Sequence, residues 1–266
     1  MDPHDRVLTL EGVHNFRDYG GYAVPGGGRL RRGVLWRSGQ HHGATDADLA
    51  QIAALGLASV FDLRSSRERM THPCRRPERF AAALHLSDDP APRPDAQSAA
   101  PHVAAAQGAH GHDAASTREG MRRNYHLIAF RPELIAMTGR MIRELADGRG
   151  ASLVNCMAGK DRTGVAVAMV HCALRVHRDD VIADYLLTNT AGDVEARIAA
   201  GAAAIRAMSG DLDPEVIRVL MGVEAEYLEN ALAAIAERYG SIDGYLEHAL
   251  GADAALRERL RAALVE

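Results

Sequence analysis

The spacing of apolar and polar positions divides the chain into a mixed first half and a helical second half. Short apolar runs predict buried strands at Leu57 to Leu63, Phe80 to Leu86 and Ala151 to Val154. Helical spacing predicts helices at Thr45 to Leu55, Arg118 to Leu127, Pro132 to Leu145, Asp179 to Thr190, Val194 to Met208, Pro214 to Met221, Glu224 to Arg238 and Ile242 to Leu264. This order indicates a single α/β domain with a central, largely parallel sheet flanked by helices and a helix-rich C-terminal half.

Two stretches interrupt this pattern. Glycine and proline at Gly20-Gly21 and Pro25 to Gly28 predict a hairpin within residues 13–39. Residues 88–116 are rich in Ala, Pro, Asp, Gly and His, with Val103 as the one large apolar residue, so they predict a flexible insertion or a lid. The segment holds His102, His110 and His112. Because no cysteines or paired carboxylates accompany them, they favour a solvated loop over a metal site.

The composition and net charge of the chain exclude several classes of protein. The 266 residues are 47% hydrophobic and carry a net charge of −4, which offers no basic surface for nucleic acid. Three cysteines, an odd number without metal-like pairing, indicate a reducing compartment. Residues 1–10 lack an apolar core, and no apolar run has the length of a membrane span, so we expect a cytoplasmic protein without stable membrane insertion. The sequence leaves the oligomeric state open.

The candidate chemistry concentrates where the strand at Ala151 to Val154 ends and an apolar helix begins near Thr163. Such a loop presents successive backbone N–H groups and the positive end of a helix, which together form an anion site. Cys156 lies at its rim, where these donors favour the nucleophilic thiolate. Arg162 adds a planar fork that matches two phosphate oxygens. The predicted phosphate-binding residues are Met157, Ala158, Gly159, Lys160, Arg162 and Thr163.

Two simpler interpretations compete with this one. A cysteine at the end of a strand is commonly a small buried hydrophobe, and its spacing to Arg162 alone arises often by chance. Packing does not require the whole run Cys-x-Ala-Gly-Lys-Asp-Arg-Thr-Gly, however. A nucleotide-binding Walker loop is excluded, because Asp161 follows the lysine where Ser or Thr is needed and Val154 stands in place of the first glycine.

At these residues the sequence resembles the bacterial tyrosine-phosphatase-like family with a Cys-x-x-Gly-Lys-Asp-Arg-Thr-Gly signature. The resemblance covers most of the chain and includes Asn15 to Gly21, Leu35 to Gly39, Phe61 to Ser65, Asp184 to Leu187 and Tyr239 to Ser241. It implies one tyrosine-phosphatase-like domain over residues 1–266, acting on a phosphorylated protein or a phosphoinositide. One departure is Asn155, which replaces the His that precedes the nucleophile in many tyrosine phosphatases. An amide forms hydrogen bonds but carries no charge.

The predicted reaction needs neither metal nor cofactor. Cys156 attacks phosphorus, Arg162 and the loop hold the equatorial oxygens, and water hydrolyses the cysteinyl-phosphate. Asp161 is the first candidate for the acid that protonates the leaving oxygen, and Asp62, at the end of a strand, is the second. Alternatively, Asp161 faces away and only fixes the loop, and Asp62 caps a helix or pairs with an arginine. Lys160 either adds charge over the phosphate or faces solvent.

Other residues have open roles. The Thr163 hydroxyl is expected to cap the helix and to reach back toward the sulfur. Arg17, Asp18 and Arg37 are expected to brace the sheet, with a phosphate-facing role as the alternative, and the Asp184 to Leu187 stretch is expected to pack in the core.

Two further functions compete with a phosphatase. A catalytically impaired phosphate-binding module that recognises phosphorylated partners has Asn155 as its only support. An arsenate reductase or similar thiol enzyme would need a resolving cysteine, and Cys172 is poorly placed for that role.

Overall fold

A computed structural model describes residues 3–87, 113–191 and 213–266, together with 195, 198 and 199. Its strands are β1 (Arg17–Asp18), β2 (Leu35–Ser38), β3 (Leu57–Asp62), β4 (Ala83–Leu86) and β5 (Ala151–Asn155). They form one sheet in the order β1-β2-β5-β3-β4, in which β1 is antiparallel to β2 and the other described pairs are parallel. The predicted α/β fold with a largely parallel sheet is confirmed.

Ten α-helices lie in the described residues. They are α1 (Asp46–Ala54), α2 (Ser66–Thr71), α3 (Ala114–Ile128), α4 (Pro132–Ala146), α5 (Asp161–Ala173), α6 (Arg178–Leu186), α7 (Pro214–Met221), α8 (Ala225–Tyr239), α9 (Ile242–His248) and α10 (Ala254–Leu264). Short 3-10 helices occur at Pro3–Arg6 and Leu187–Asn189. The helix-rich C-terminal half is thus present, and no helix in the described ranges is long and apolar enough to cross a membrane.

The central strand β5 is buried on both faces, and the edge strand β4 is mostly exposed. Successive side chains on a strand point to opposite sides, so each face of the sheet packs against different elements. On one face, Val60 and Leu153 pack with Leu49 and Ile52 of α1. On the other face, the next residues along β3 and β5 join the larger core with α4, α5 and α8. Every residue of α5 except Cys172 is buried. The central helix is therefore held on all sides, with its N-terminus at the carboxyl edge of the sheet.

Local sequence signals set several boundaries where they were predicted. Thr45 caps α1 in a capping box with Asp48, and Pro214 begins α7 at its first position. The predicted helix over Ile242 to Leu264 is wrong as one element. Gly251, at φ 68°, separates α9 from α10, and Asp253 caps α10 through the N–H of Leu256.

One of two β predictions needs correction. The strand predicted at Phe80 to Leu86 begins only at Ala83. The predicted hairpin is present in a short form: Ala23 and Arg29 form an antiparallel bridge, and Gly26, Gly27 and Gly28 make the turn with positive φ. The antiparallel pair β1–β2 lies in the same segment of the chain.

The end of the predicted insertion at residues 88–116 needs correction. Asp113 accepts the N–H of Ser116 and caps α3, which begins at Ala114, so residues 113–116 are helical or capping. The rest of that insertion and its three histidines lie outside the described residues. Most of the helix predicted over Val194 to Met208 also lies outside them.

Three buried histidines make stability depend on pH. Burial, followed by the charge of Arg76, lowers the pKa of His41 to about 4, and burial lowers the pKa of His85 and of His171. The ordinary value is 6.5, so the unfolded chain takes up these protons first as the pH falls. The stability that the neutral rings contribute is therefore present above pH 6.5 and lost as the pH falls toward the folded-state values.

We predict that His85→Phe stabilises the protein and flattens its acid dependence. His85 stacks on Phe61 at a centroid distance of 4.6 Å, and neither ring nitrogen has a hydrogen-bond partner within the described ranges. A phenyl ring keeps the stack without the two desolvated nitrogens, which should raise the free energy of unfolding at pH 7 by about 1 kcal/mol. Urea unfolding between pH 5 and 8 measures both effects. The exposed His126→Phe is the control, and a loss of stability in His85→Phe at pH 7 would contradict the prediction.

Candidate active site

The loop between β5 and α5 turns its carbonyl groups outward. The Met157 carbonyl accepts the backbone N–H of Gln40 at 3.0 Å, and the carbonyls of Ala158 and Gly159 accept the side-chain amide of Asn15 at 3.2 and 2.8 Å. The described peptide bonds are trans, which places each N–H opposite the carbonyl of the same peptide. The N–H groups of residues 158–160 therefore point into the loop and line a concavity suited to an oxyanion.

Gly159 allows the loop to lie directly against the end of β2. Its φ is 64°, in the left-handed region, and a Cβ there would stand 2.4 Å from the carbonyl carbon and oxygen of Ser38. The sequence predicted this glycine only as a phosphate-binding residue. The structure shows why a glycine is needed there, since the neighbouring strand leaves no room for a side chain.

A buried charge network supports the outer wall of the loop. Asp184 on α6 pairs with Arg37 at 2.7 Å and with Arg17 at 3.7 Å. Arg37 also donates to the Gly159 carbonyl at 3.0 Å, and Arg17 donates to the side chain of Asn15. Burial alone would raise the pKa of Asp184, but the two arginines outweigh it and lower that pKa. The arginines brace the loop as well as the sheet.

The roles found for Asp18 and Asp184 differ. Asp18 accepts the N–H groups of Gly20 and Gly33 at 2.7 Å and pairs with Arg32, so it organises the turns beside β1. Asp184, expected only to pack in the core, is instead the shared partner of two arginines. The opposite charges of Arg37 and Asp184 are the signal in the sequence that the two residues could pair. They lie 147 residues apart, however, and a single sequence does not show that residues so distant are in contact.

Cys156 follows β5 directly, and its side chain is 2% exposed. The next helix, α5, begins at Asp161, and Lys160 occupies its N-cap position. Thr163 lies inside the first turn, so the expectation that it caps the helix is wrong. The Thr163 hydroxyl oxygen is buried and forms no hydrogen bond with any described residue. This hydroxyl is thus a buried polar group beside the loop that is still able to form a hydrogen bond.

Arg162 is fixed by a carboxylate that the sequence did not single out. Glu68 on α2 accepts both terminal nitrogens of Arg162 at 2.7 Å, while the Leu63 carbonyl accepts one of them at 3.1 Å. Glu68 is itself held in a capping box with Ser65. Burial disfavours both charges, but the pairing outweighs it and leaves the pKa of Arg162 raised and that of Glu68 lowered. The guanidinium is therefore charged and preoriented.

Asp62 is fully buried and bound to an arginine, which is one of the alternatives left open by the sequence. Arg64 donates to its two oxygens at 2.9 and 2.7 Å, and Asn155 donates to one of them at 3.3 Å. Arg64 also donates to Cys74 Sγ at 3.0 Å and to the His72 carbonyl at 2.6 Å. Asp62 thus positions Arg64 and the residue before Cys156.

Contacts with other side chains hold the Asp161 carboxylate through only one of its two oxygens within the described residues. The Tyr125 hydroxyl donates to Oδ1 at 2.7 Å, and Lys160 Nζ lies 3.5 Å from the same atom. Tyr185 in turn donates to the Tyr125 hydroxyl at 2.7 Å. Burial raises the pKa of Tyr125 well above its ordinary value, so this phenol remains a donor at neutral pH. Oδ2 accepts no hydrogen bond from the part of the chain that the structure describes.

Lys160 connects the loop to the helical half of the molecule. Its side chain is 1% exposed, which rules out the solvent-facing alternative. Its ammonium group donates to the carbonyls of Leu220 and Gly222, at 2.6 and 3.2 Å, where the negative end of the α7 dipole lies.

Comparison with known proteins identifies the family of this chain. The model of the tyrosine phosphatase family matches residues 8–266. The chain belongs to the tyrosine phosphatase family. The triple specificity protein phosphatase PtpB of Mycobacterium tuberculosis is 35% identical over 97% of this chain and 99% of its own length. A putative tyrosine-protein phosphatase of Cupriavidus necator is 34% identical over 95% of this chain and 86% of its own length. The protein is therefore a phosphatase enzyme.

We predict that Asp184→Asn destabilises this tyrosine phosphatase strongly. The change leaves Arg17 and Arg37 as buried cations without their anion, a loss that costs about 3 kcal/mol of unfolding free energy. Chemical denaturation measures it, and Asp179→Asn, exposed on the same helix, is the matched control. Equal stability of the two variants would show that the charge network does not hold the loop.

Proposed function

We propose that the protein hydrolyses phosphate monoesters through a cysteinyl-phosphate intermediate on Cys156. The observation that carries the proposal is the loop around Cys156, whose carbonyls are bound from outside so that its N–H groups converge inside. An oxyanion held there would lie at the positive end of α5 and beside the charged fork of Arg162.

In the first step, the Cys156 thiolate attacks phosphorus in line with the leaving oxygen. The S–P bond forms as the P–O bond to the leaving group breaks. The N–H groups of residues 158–160 and Arg162 stabilise the charge on the three equatorial oxygens. Glu68 fixes the fork, and Lys160, held at the end of α7, adds positive charge to the cradle. Thr163 supplies a hydroxyl toward the sulfur.

Asp161 is the proposed general acid. Tyr125 holds its Oδ1, so Oδ2 is the oxygen that would carry the proton to the leaving group. In the second step, water attacks phosphorus, the S–P bond breaks, and Asp161 takes the proton from water. Asp62, the second candidate, has both oxygens bound by Arg64 and suits a supporting role better.

The relatives suggest the substrate class. One is named a triple specificity phosphatase and the other a tyrosine-protein phosphatase. We propose phosphotyrosine as a substrate of this chain, with phosphoserine, phosphothreonine or phosphoinositide as further substrates. The chemistry above uses protein groups and water and requires no cofactor.

The first test is phosphate release from para-nitrophenyl phosphate across pH, with a chelator present, for the wild type and Cys156→Ser. We expect wild-type turnover that ignores the chelator, and loss of at least about a thousandfold in Cys156→Ser, with vanadate binding retained. Turnover in Cys156→Ser would overturn the covalent mechanism. A wild type that binds vanadate but never turns over would instead be the phosphate-binding module.

The second test separates the two candidate acids. Asp161→Asn should slow phenyl phosphate, a substrate with a poor leaving group, by about a hundredfold or more, and para-nitrophenyl phosphate much less. Asp62→Asn leaves Arg64 unpaired, so it should lower stability and affect both substrates alike. Steady-state kinetics with a series of aryl phosphates measures this. Equal slowing of all of them by Asp161→Asn would remove Asp161 from the acid role.

A further inference from the structure

Two tyrosine hydroxyl groups and the Asp161 carboxylate form a chain of hydrogen bonds inside the protein. Tyr185 on α6 donates to the Tyr125 hydroxyl at 2.7 Å, and Tyr125 on α3 donates to Asp161 Oδ1 at 2.7 Å. All three residues are buried. Burial raises the pKa of both phenols well above the ordinary value, so each keeps its proton at neutral pH. The chain therefore consists of two neutral donors that end on one carboxylate oxygen.

Packing alone does not account for the two hydroxyl groups. The rings of Tyr125 and Tyr185 meet edge to face at a centroid distance of 6.1 Å, a contact that two phenylalanines would also make. A buried hydroxyl is unfavourable unless it is hydrogen-bonded. Neither phenol has a further hydrogen-bond partner among the described residues. Both hydroxyl groups thus depend on Asp161 as the acceptor at the end of the chain.

The burial of Tyr185 fixes the direction of this chain. A proton on Asp161 Oδ1 would have to be donated to Tyr125, which would then have to donate to Tyr185. The Tyr185 proton would be left in the interior without an acceptor in the part of the chain that the structure describes, which carries the desolvation penalty of an unsatisfied hydroxyl. Oδ1 therefore accepts from Tyr125 whether Asp161 is ionised or protonated, and the acid proton belongs on Oδ2.

The contact of Asp161 with Lys160 does not supply this orientation. The ammonium group lies 3.5 Å from Oδ1, beyond the usual length of an N–H···O hydrogen bond, and it donates to the carbonyls of Leu220 and Gly222. The hydrogen bond from Tyr125 is shorter and directional, so it determines which oxygen of the carboxyl group is occupied.

We propose that Tyr125 and Tyr185 are positioning residues for the general acid, which reserve Asp161 Oδ2 for the proton delivered to the leaving oxygen. The inference rests on the acid role proposed for Asp161 above and extends it to two residues outside the signature loop. As the P–O bond breaks, its electron pair goes to the leaving oxygen, which takes the proton from Oδ2. The carboxylate that remains still accepts from Tyr125 at Oδ1, so the same contact holds Asp161 when it takes a proton from water.

The test measures the ratio of kcat/KM for para-nitrophenyl phosphate to kcat/KM for phenyl phosphate. Because phenyl phosphate has the poorer leaving group and needs the acid more, Tyr125→Phe should raise this ratio about tenfold. Tyr185→Phe acts only through Tyr125 and should raise it about threefold. Both substrates are measured on the same enzyme, so a smaller fraction of folded protein cancels in the ratio.

Tyr227→Phe is the matched control. Its ring packs against the Tyr125 ring at a centroid distance of 5.6 Å, and within the described ranges its hydroxyl donates to neither Tyr125 nor Asp161. The control should leave the ratio unchanged. In an Asp161→Asn background, Tyr125→Phe should also leave the ratio unchanged, since no acid remains to be positioned. A further rise in that background, an equal rise in Tyr227→Phe, or a parallel loss on both substrates in Tyr125→Phe would overturn the positioning role.

The outcomes separate this role from the proposed function. If Asp161→Asn changes the ratio and Tyr125→Phe does not, the acid stands and the positioning role fails. If neither changes it, Asp161 is not the acid and both assignments fail. If the wild type has no turnover, calorimetry with vanadate, whose apical oxygen occupies the leaving-group position, replaces the kinetics. A loss of vanadate affinity in Tyr125→Phe that disappears in the Asp161→Asn background keeps the positioning role while the hydrolase fails, and affinity independent of Tyr125 removes it.

Discussion

The structure around Cys156 depends on the orientation of three peptide groups, whose carbonyls belong to Met157, Ala158 and Gly159. A loop that aims successive N–H groups at one point must aim its carbonyls away from that point, and buried carbonyls need donors. Asn15, Arg37 and Gln40 supply them, from the segment before β1, from β2 and from the turn after β2. The sheet order that sets β2 beside β5 is what brings these donors within reach.

Binding the loop carbonyls in this way also places charged groups in the interior of the protein. Donors that hold carbonyls in a dry interior include arginines, and each arginine then needs an anion. Asp184 serves Arg37 and Arg17, Glu68 serves Arg162, and these acids come from α6 and α2. The acids are thus part of the support of the site, and they link α6 and α2 to the loop.

Short-range chemistry explains what could be predicted from the sequence. Cys156, Arg162 and the loop between them lie within seven residues, and the change from a strand to a buried helix is visible in the same stretch. A capping box likewise fixed the start of α1, and an initial proline fixed the start of α7. Partners far apart in sequence were not predictable: Glu68 lies 94 residues from Arg162, and a single sequence carries no signal that joins them. The break at Gly251 was missed because the alanines around it favour helix on both sides.

The helical half is tied to the chemistry through Lys160 and Asp161. Lys160 reaches the end of α7, and Asp161 is held by Tyr125 of α3, which Tyr185 of α6 supports. Gly164 allows this contact, because a Cβ there would stand 3.0 Å from the Tyr185 ring. Lys160 and Asp161, which are adjacent in sequence, thus connect to α7, α3 and α6, which are far apart in sequence. The sheet edge carries Cys156 and its loop, and the helices hold the side chains of Asp161 and Lys160.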